Sequence, residues 1–254
     1  MATTCRRLEG RVALITGAAQ GFGLATAERL AEEGADIALL DLQADGVSAA
    51  AVHVAATSGG ATIGLAADVS AKEQVDAAVR QVIDRFGRID ALVNSAGILR
   101  LSDILACSED EWDRVLGVHL KGTFLLCKAV LPSMVARRFG RIVNLSSSAG
   151  KQGGILSGIA YNTAKGGILS FTMSLARQFA PFGITANAVC PGTADTAMGR
   201  QFTTEQLASM VARIPLGRLA TAQDVAGAIA YLVSDDASFV TGEMLDVNGG
   251  MYMD

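Results

Sequence analysis

The chain opens with an apolar run that breaks on glycines and restarts as a helical pattern, which leaves few folds open to it. Arg11-Val-Ala-Leu-Ile-Thr16 shows no polar alternation, as expected for a parallel strand covered on both faces. Gly17-Ala-Ala-Gln-Gly21-Phe-Gly23 follows, and Leu24, Ala27, Leu30 and Ala31 then recur at helical spacing as far as Gly34. Strand, glycine turn and helix in this order gather backbone N–H groups and a helix N-terminus where a pyrophosphate can sit. The glycine spacing is G-x-x-x-G-x-G rather than G-x-G-x-x-G, so the flanking strand and helix matter more than the glycines alone.

The alternation repeats along the chain. Asp36-Ile-Ala-Leu-Leu-Asp41 is a second strand ending on a carboxylate, and 44–57 reads as a helix. Residues 61–67 read as a strand ending at Asp68, and 71–86 as a helix built on Val75, Val79 and Val82. Ile89-Asp-Ala-Leu-Val93 is a strand running into Asn94-Ser-Ala-Gly97; 109–135 is one long helical stretch, and Arg141-Ile-Val-Asn-Leu145 is a strand. The segment holding Tyr161 carries Ala164, Ile168, Phe171, Leu175 and Phe179 as a core stripe. Residues 184–190 form a strand ending at Pro191-Gly192, 221–233 a helix, and 243–247 a last strand before Asn248-Gly-Gly250. Seven strands alternating with helices predict an α/β fold, a single doubly wound parallel sheet with helices on both faces, in one domain over 1–254. Residues 193–214 have weak periodicity and are the expected substrate lid. A carboxylate about 20 residues beyond such glycines is where an NAD ribose is held, and Asp41 takes that place. Its structural alternative is a cap for the helix at 44–57.

Composition narrows the chemistry. Half of the 254 residues are apolar and 18% are charged, and 28 glycines against 4 prolines suit tight turns between regular elements. A net charge of −4 leaves no electrostatic footprint for nucleic acid or an anionic membrane. Residues 1–10 lack the apolar core of a signal peptide, and no run of about 18 uncharged apolar residues occurs. The expectation is a soluble cytoplasmic protein. Cys5, Cys107, Cys127 and Cys190 are scattered and read as free thiols. With only His53, expected to be solvated, and His119, neither a metal site nor a Ser-His-Asp hydrolase is expected. The match Ser148-Ala-Gly-Lys151 to S-x-x-K sits in a glycine context that reads as a loop.

Tyr161-Asn-Thr-Ala-Lys165 puts a phenol and an ammonium one helical turn apart, on one face. A free phenol has a pKa of about 10, and a cation beside it favours the phenolate. The run Asn144-Leu-Ser-Ser-Ser148 just upstream supplies hydroxyls for a substrate oxygen. Alone, such a pair is an ordinary surface pattern; with the dinucleotide signals it reads as a proton-transfer site.

From about residue 8 to the end, these motifs and their order resemble the short-chain dehydrogenase/reductase family. The matching residues are Thr16-Gly17-Ala-Ala-Gln-Gly21-Phe-Gly23, Asp68-Val69, Asn94-Ser-Ala-Gly97, the serine run, Tyr161-x-x-x-Lys165 and Pro191-Gly192-x-x-x-Thr196. The resemblance implies a Rossmann-type sheet and hydride exchange between NAD(P) and an alcohol or carbonyl. It makes Tyr161 the general acid/base, and Lys165 the residue that binds the nicotinamide ribose and lowers the phenol's pKa. It implies cofactor contacts at Gly17, Gln20, Gly21, Phe22, Gly23, Asp41 and Leu42, and at Asp68 and Val69 for adenine. Asn94, Ala96 and Gly97 fall in the ribose region, and Pro191, Gly192, Ala194 and Thr196 beside the carboxamide. The catalytic serine is Ser147, three residues beyond Asn144, or its neighbour Ser148. The spacing to Tyr161 is one residue longer than the family's usual, through an insertion in 151–158.

Two further departures stand out. Ser95 replaces the commoner second asparagine, and His119 stands where the family places an asparagine that holds a proton-relay water. The expectation is that His119 keeps that water and that its ring exchanges a proton near neutral pH. Its alternative is a buried histidine satisfied by a backbone carbonyl.

The leading reading is an NAD-dependent dehydrogenase of a small secondary alcohol, polyol, sugar or hydroxy acid. Asp41 would face the 2′-phosphate of NADP, and Gln20, Leu42 and Gln43 supply no cation. A second reading is a 3-oxoacyl-thioester reductase, an activity that usually runs on NADPH, which Asp41 opposes. A third is a non-catalytic dinucleotide-binding protein, since fold does not fix function; the intact Ser147, Tyr161 and Lys165 weigh against it. The expected partners are a small alcohol or ketone and, from the resemblance, three further copies in a homotetramer. Faces for packing lie on 116–130, on the Tyr161 helix and at Met251-Tyr-Met-Asp254. Arg100, Lys151 and Gln152 come from loops expected at the pocket mouth, where an arginine fork would suit a carboxylate or several hydroxyls. The alternative, which the sequence favours, is that they are ordinary solvated surface residues.

Overall fold

A computed structural model of the chain describes residues 6–154 and 156–253, so Cys5 and Asp254 lie outside the described residues. Seven strands form one parallel sheet: β1 (Val12–Thr16), β2 (Asp36–Asp41), β3 (Thr62–Ala66), β4 (Ala91–Asn94), β5 (Gly140–Leu145), β6 (Ile184–Pro191) and β7 (Met244–Val247). Their order across the sheet is β3-β2-β1-β4-β5-β6-β7. The sheet is therefore the doubly wound Rossmann type, and its strand order reverses between β1 and β4. In such sheets a ligand binds at that reversal, beyond the carboxyl ends of the strands.

The helices are α1 (Gly21–Glu32), α2 (Ala44–Ser58), α3 (Lys72–Phe86), α4 (Glu109–Leu116), α5 (Gly122–Arg137), α6 (Ser148–Gln152), α7 (Ile159–Phe179), α8 (Thr204–Val211) and α9 (Ala222–Val233). Alternate residues of each strand feed two cores, one per face of the sheet, as the twofold period of a strand requires. Ala13 and Ile15 of β1 pack with Leu30, Val54 and Ile229 of α1, α2 and α9. Val12 and Leu14 pack with Val79, Val130 and Leu175 of α3, α5 and α7. The strands read as continuous apolar runs because both faces are covered.

Three segments differ from the sequence expectations. The long helical stretch is not uniform: a π-helical turn, Gly117–Lys121, separates α4 from α5. Apolar periodicity does not register such a turn, because one inserted residue only rotates the stripe. This combined stretch, 109–137, is long enough and apolar enough to cross a membrane by length and composition. Its apolar residues are those that fill the core under β4 and β5, including Leu126, Val130 and Met134. Ser148-Ala-Gly-Lys151 is the short helix α6 rather than a loop, capped by the Ser147 side chain, which accepts from the Ala149 N–H at 3.1 Å. Within 193–214 lies α8, started by a reciprocal cap between Thr203 and Gln206. His53 is exposed as expected and pairs with Glu28 at 3.0 Å. Cys107, Cys127 and Cys190 are free thiols.

Candidate active site

The turn between β1 and α1 is shaped by close approach. A Cβ on Gly23 would lie 2.2 Å from the Gly17 carbonyl oxygen, and one on Gly17 would lie 2.7 Å from Ala96 Cα. Gly17 and Gly21 adopt φ of 64° and 59°, the left-handed region that glycine enters without strain. Thr16 Oγ1 accepts from the N–H groups of Ser95 and Ala96, both at 3.0 Å, which fixes the β4 turn beside the glycine turn. Between them opens a groove of about 1020 Å³. Gly17, Gln20, Gly21, Phe22, Gly23, Asp41, Leu42, Asp68, Val69, Ala96, Gly97 and Thr196 all line it. Asp41 is held at its edge by the N–H groups of Ala19 and Gln43, each at 3.0 Å. Asp68 accepts from Ser70 Oγ at 2.6 Å, a bond that holds its carboxyl below the usual range.

Asn94 is the exception. Its side chain is buried and donates to Asn144 Oδ1 at 2.8 Å. Register explains this, because Asn94 and Asn144 are neighbours across β4 and β5. Asn144 in turn donates to Thr172 Oγ1 of α7 at 2.9 Å. Asn94 therefore ties the sheet to the helix carrying Tyr161 and does not line the groove. The sequence also missed Arg114 and Val118 as groove residues. Arg114 stands 3.8 Å from Asp68, and only the fold brings α4 across from β3.

A second cavity, of about 800 Å³, adjoins the first, and Phe22, Thr196 and Met198 line both. Ser147, Ser148 and Tyr161 line it, as do Pro191, Gly192, Ala194 and Thr196. Lys165 lies beneath, with its Nζ 5.6 Å from the centre of the Tyr161 ring. That Nζ donates to the Leu145 carbonyl at 2.6 Å, and Ser146 Oγ donates to the Lys165 carbonyl at 2.8 Å. The end of β5 is thus fastened to α7 at the turn where Tyr161 and Lys165 sit.

The electrostatics depart from expectation. Burial pushes the Lys165 ammonium down to about 7, and burial also pushes the Tyr161 phenol up, against a hydrogen bond with Ser147 that lowers it. Burial and the Ser147 hydroxyl thus act on the phenol in opposite senses, with burial the larger. His119 is 1% exposed, and burial pushes its pKa down to about 3. Its ring therefore stays neutral across physiological pH and does not exchange a proton there by itself. His119 Nε2 meets both the carbonyl and the N–H of Ile98, at 2.8 and 3.1 Å, while Nδ1 is buried without a partner. The ring stands edge-on to Tyr161 with centroids 5.3 Å apart, and a Cβ on Gly97 would lie 2.4 Å from its Cε1. Lys151 also departs: it is buried, donating to Asp246 at 2.7 Å and to the Met244 carbonyl at 3.0 Å, and so ties α6 to β7. Arg100 is exposed, and only Gln152 of the three expected mouth residues lines the cavity.

The groove fits a dinucleotide: its glycines leave room at the N-terminus of α1 for a pyrophosphate, and a carboxylate marks the adenosine side. With a serine, a tyrosine and a lysine gathered beside it, the molecule is a nicotinamide-dinucleotide-dependent oxidoreductase acting on hydroxyl or carbonyl groups. A family model described as enoyl-(acyl carrier protein) reductase matches residues 17–252. The chain is 41% identical over 247 residues to 3-oxoacyl-[acyl-carrier-protein] reductase FabG of Vibrio cholerae, covering 97% of this chain and 99% of that one. It is 41% identical over 243 residues to (2S)-[(R)-hydroxy(phenyl)methyl]succinyl-CoA dehydrogenase subunit BbsD of Thauera aromatica, covering 96% and 97%. The crystal structure of 3-oxoacyl-[acyl-carrier protein] reductase from Brucella melitensis superposes with a TM-score of 0.92 at 36% identity, covering 100% and 97%. The chain belongs to the short-chain dehydrogenase/reductase family.

Proposed function

We propose that the protein is a cytoplasmic, homotetrameric, single-domain NAD-dependent oxidoreductase that interconverts a secondary alcohol and its ketone. The observation that carries this reading is the meeting of Ser147 and Tyr161 on the wall of a cavity that shares Phe22, Thr196 and Met198 with the dinucleotide groove. Bound NAD(H) supplies the hydride acceptor or donor. Ser147 Oγ holds the substrate oxygen, and Tyr161 Oη gives that oxygen its proton during reduction and takes it back during oxidation. Ser147 is preferred to Ser148 because it lies three residues beyond Asn144, the place the family resemblance implies, and lines the cavity with Tyr161. Lys165 binds the ribose side of the cofactor, and its charge stabilises the phenolate once the site is filled. His119 acts as a neutral positioning group behind Tyr161. Residues 193–214 close over the cavity as a lid.

Asp41 selects NAD. Two like charges about 4 Å apart cost about 4 kcal/mol at an effective dielectric of about 20, enough for a hundredfold preference. The test compares kcat/KM for NADH and NADPH with one ketone. NADH is expected to be favoured at least a hundredfold, and equal efficiencies would overturn the role of Asp41. In Tyr161→Phe, turnover is expected to disappear with NADH affinity kept; more than about a hundredth of the parent rate would assign the proton to another residue. A second reading, reduction of a 3-oxoacyl thioester, is favoured by the likeness to the Vibrio cholerae and Brucella melitensis reductases over nearly the whole chain. Turnover of a 3-oxoacyl thioester far above that of simple ketones would select it.

A further inference from the structure

No acidic or basic side chain lines the cavity beside Tyr161 among the described residues. Its polar groups cluster at the reacting end, with Ser146, Ser147, Ser148 and Tyr161. Away from them, among the described residues, Gln152, Ser157, Thr193 and Thr196 offer side-chain polar atoms, but Thr193 Oγ1 already points at Met210 Sδ, 3.5 Å away, and Thr196 Oγ1 accepts from the Gly199 N–H at 3.4 Å. The apolar lining is Met198, Phe202, Met210 and Met251, with Leu99 and Leu156. These four come from separate places, the turn before α8, α8 itself and the turn after β7, so the wall is a property of the fold rather than of one motif. Of the charged groups expected at the mouth, Lys151 is paired with Asp246, and Arg100 is exposed and donates to the Leu99 carbonyl at 2.9 Å rather than lining the cavity.

Away from Lys165, a carboxylate entering the apolar part of this cavity would lose its water and meet no cation among the described lining residues, and a polyol would leave hydroxyls unpaired against thioethers, both costly outcomes. Apolar substituents lose nothing there. Methionine side chains are unbranched and polarisable, so they reshape around different apolar groups at little cost. We infer that the cavity takes the uncharged apolar substituent of a ketone, and that Met198, Phe202, Met210 and Met251 determine its specificity. This inference rests on the oxidoreductase reading and replaces the polyol, sugar and hydroxy-acid expectation.

The test uses the intact protein with saturating NADH and four probes: ethyl 3-oxobutanoate, ethyl 3-oxohexanoate, the anion 3-oxobutanoate, and dihydroxyacetone. Binding is read from the fluorescence of bound NADH, and turnover separately from NADH oxidation. The esters are expected to bind at least tenfold more tightly than the anion or dihydroxyacetone. Each added methylene should tighten binding by about threefold to fourfold. Met251→Gln should remove most of the chain-length gain while NADH affinity holds, because Met251 lines only this cavity. Equal binding of anion and ester, or no gain with chain length, overturns the inference. An unchanged gain in both Met251→Gln and Phe202→Ala overturns the assignment of the wall. Selective ester binding with no NADH oxidation supports the inference and sinks the hydride-transfer reading instead.

Discussion

Lys165 and His119 show how burial, rather than residue type, sets a side chain's protonation. The Lys165 ammonium sits under Tyr161 with the Leu145 carbonyl as its hydrogen-bond partner, and burial pushes its pKa from 10.5 to about 7. Between those values the unfolded chain holds more protons than the folded one, so this residue makes stability rise with pH across that window. Lys165→Met is therefore expected to melt higher than the parent at pH 6, with the difference shrinking towards pH 10, while turnover is lost. A variant less stable than the parent at pH 6 would show that the ammonium is satisfied in the fold. His119 behaves likewise at lower pH: its pKa falls from 6.5 to about 3, so stability rises with pH between those values. His119→Asn is expected to flatten the acid limb of the melting curve and keep substantial activity, since the family places asparagine there. His119→Ala should turn over about tenfold to a hundredfold more slowly, with a pH–rate profile that keeps its shape. An unchanged rate in His119→Ala would make the ring purely structural.

At the scale of elements, the site depends on close approaches between segments far apart in sequence. The β1–α1 turn needs Gly23 because any Cβ would strike the Gly17 carbonyl. Gly23→Ala is expected to lower NADH affinity at least tenfold, measured by fluorescence titration, and to lower the melting temperature as well because the added Cβ meets backbone; undiminished affinity would dissociate this turn from the cofactor. The π-helical turn at Gly117–Lys121 swings His119 inward against Gly97, and Gly122 lets the turn pass Val69, whose Cγ2 would lie 2.9 Å from an added Cβ. π-helical turns occur often at functional sites. α6 owes its place to the Lys151–Asp246 pair and to Gly150, where a Cβ would lie 2.7 Å from the Lys165 carbonyl carbon. Ser147 and Tyr161 thus share a wall because α6 and α7 touch.

Across the whole molecule, α5 and α7 cover one face of the sheet and still leave Phe124 and Met173 exposed at 44% and 39%. Exposed large apolar groups on two neighbouring helices suit packing against a second copy. Light scattering is expected to give a tetramer, and Phe124→Glu with Met173→Glu to give smaller species; a parent protein that runs as a monomer would refute the assembly.

The sequence by itself determined the architecture and singled out the residues proposed to react. Alternating apolar runs and glycine turns fix a parallel sheet, because strands covered on both faces must be apolar throughout, and Tyr161 with Lys165 stands out from local spacing once the dinucleotide signals accompany it. The dinucleotide groove was legible for the same reason, since its glycines, Asp41 and Asp68 each end a strand. Only the tertiary structure decided what burial and cross-strand register impose. Asn94 faces Asn144 instead of a ligand because β4 pairs with β5 in that register. His119 is neutral because the π-helical turn buries it, and Lys151 is spent on Asp246 because β7 lies beside α6. The substrate wall of Met198, Phe202, Met210 and Met251 is assembled from segments whose spacing carries no period, so no local pattern could announce it.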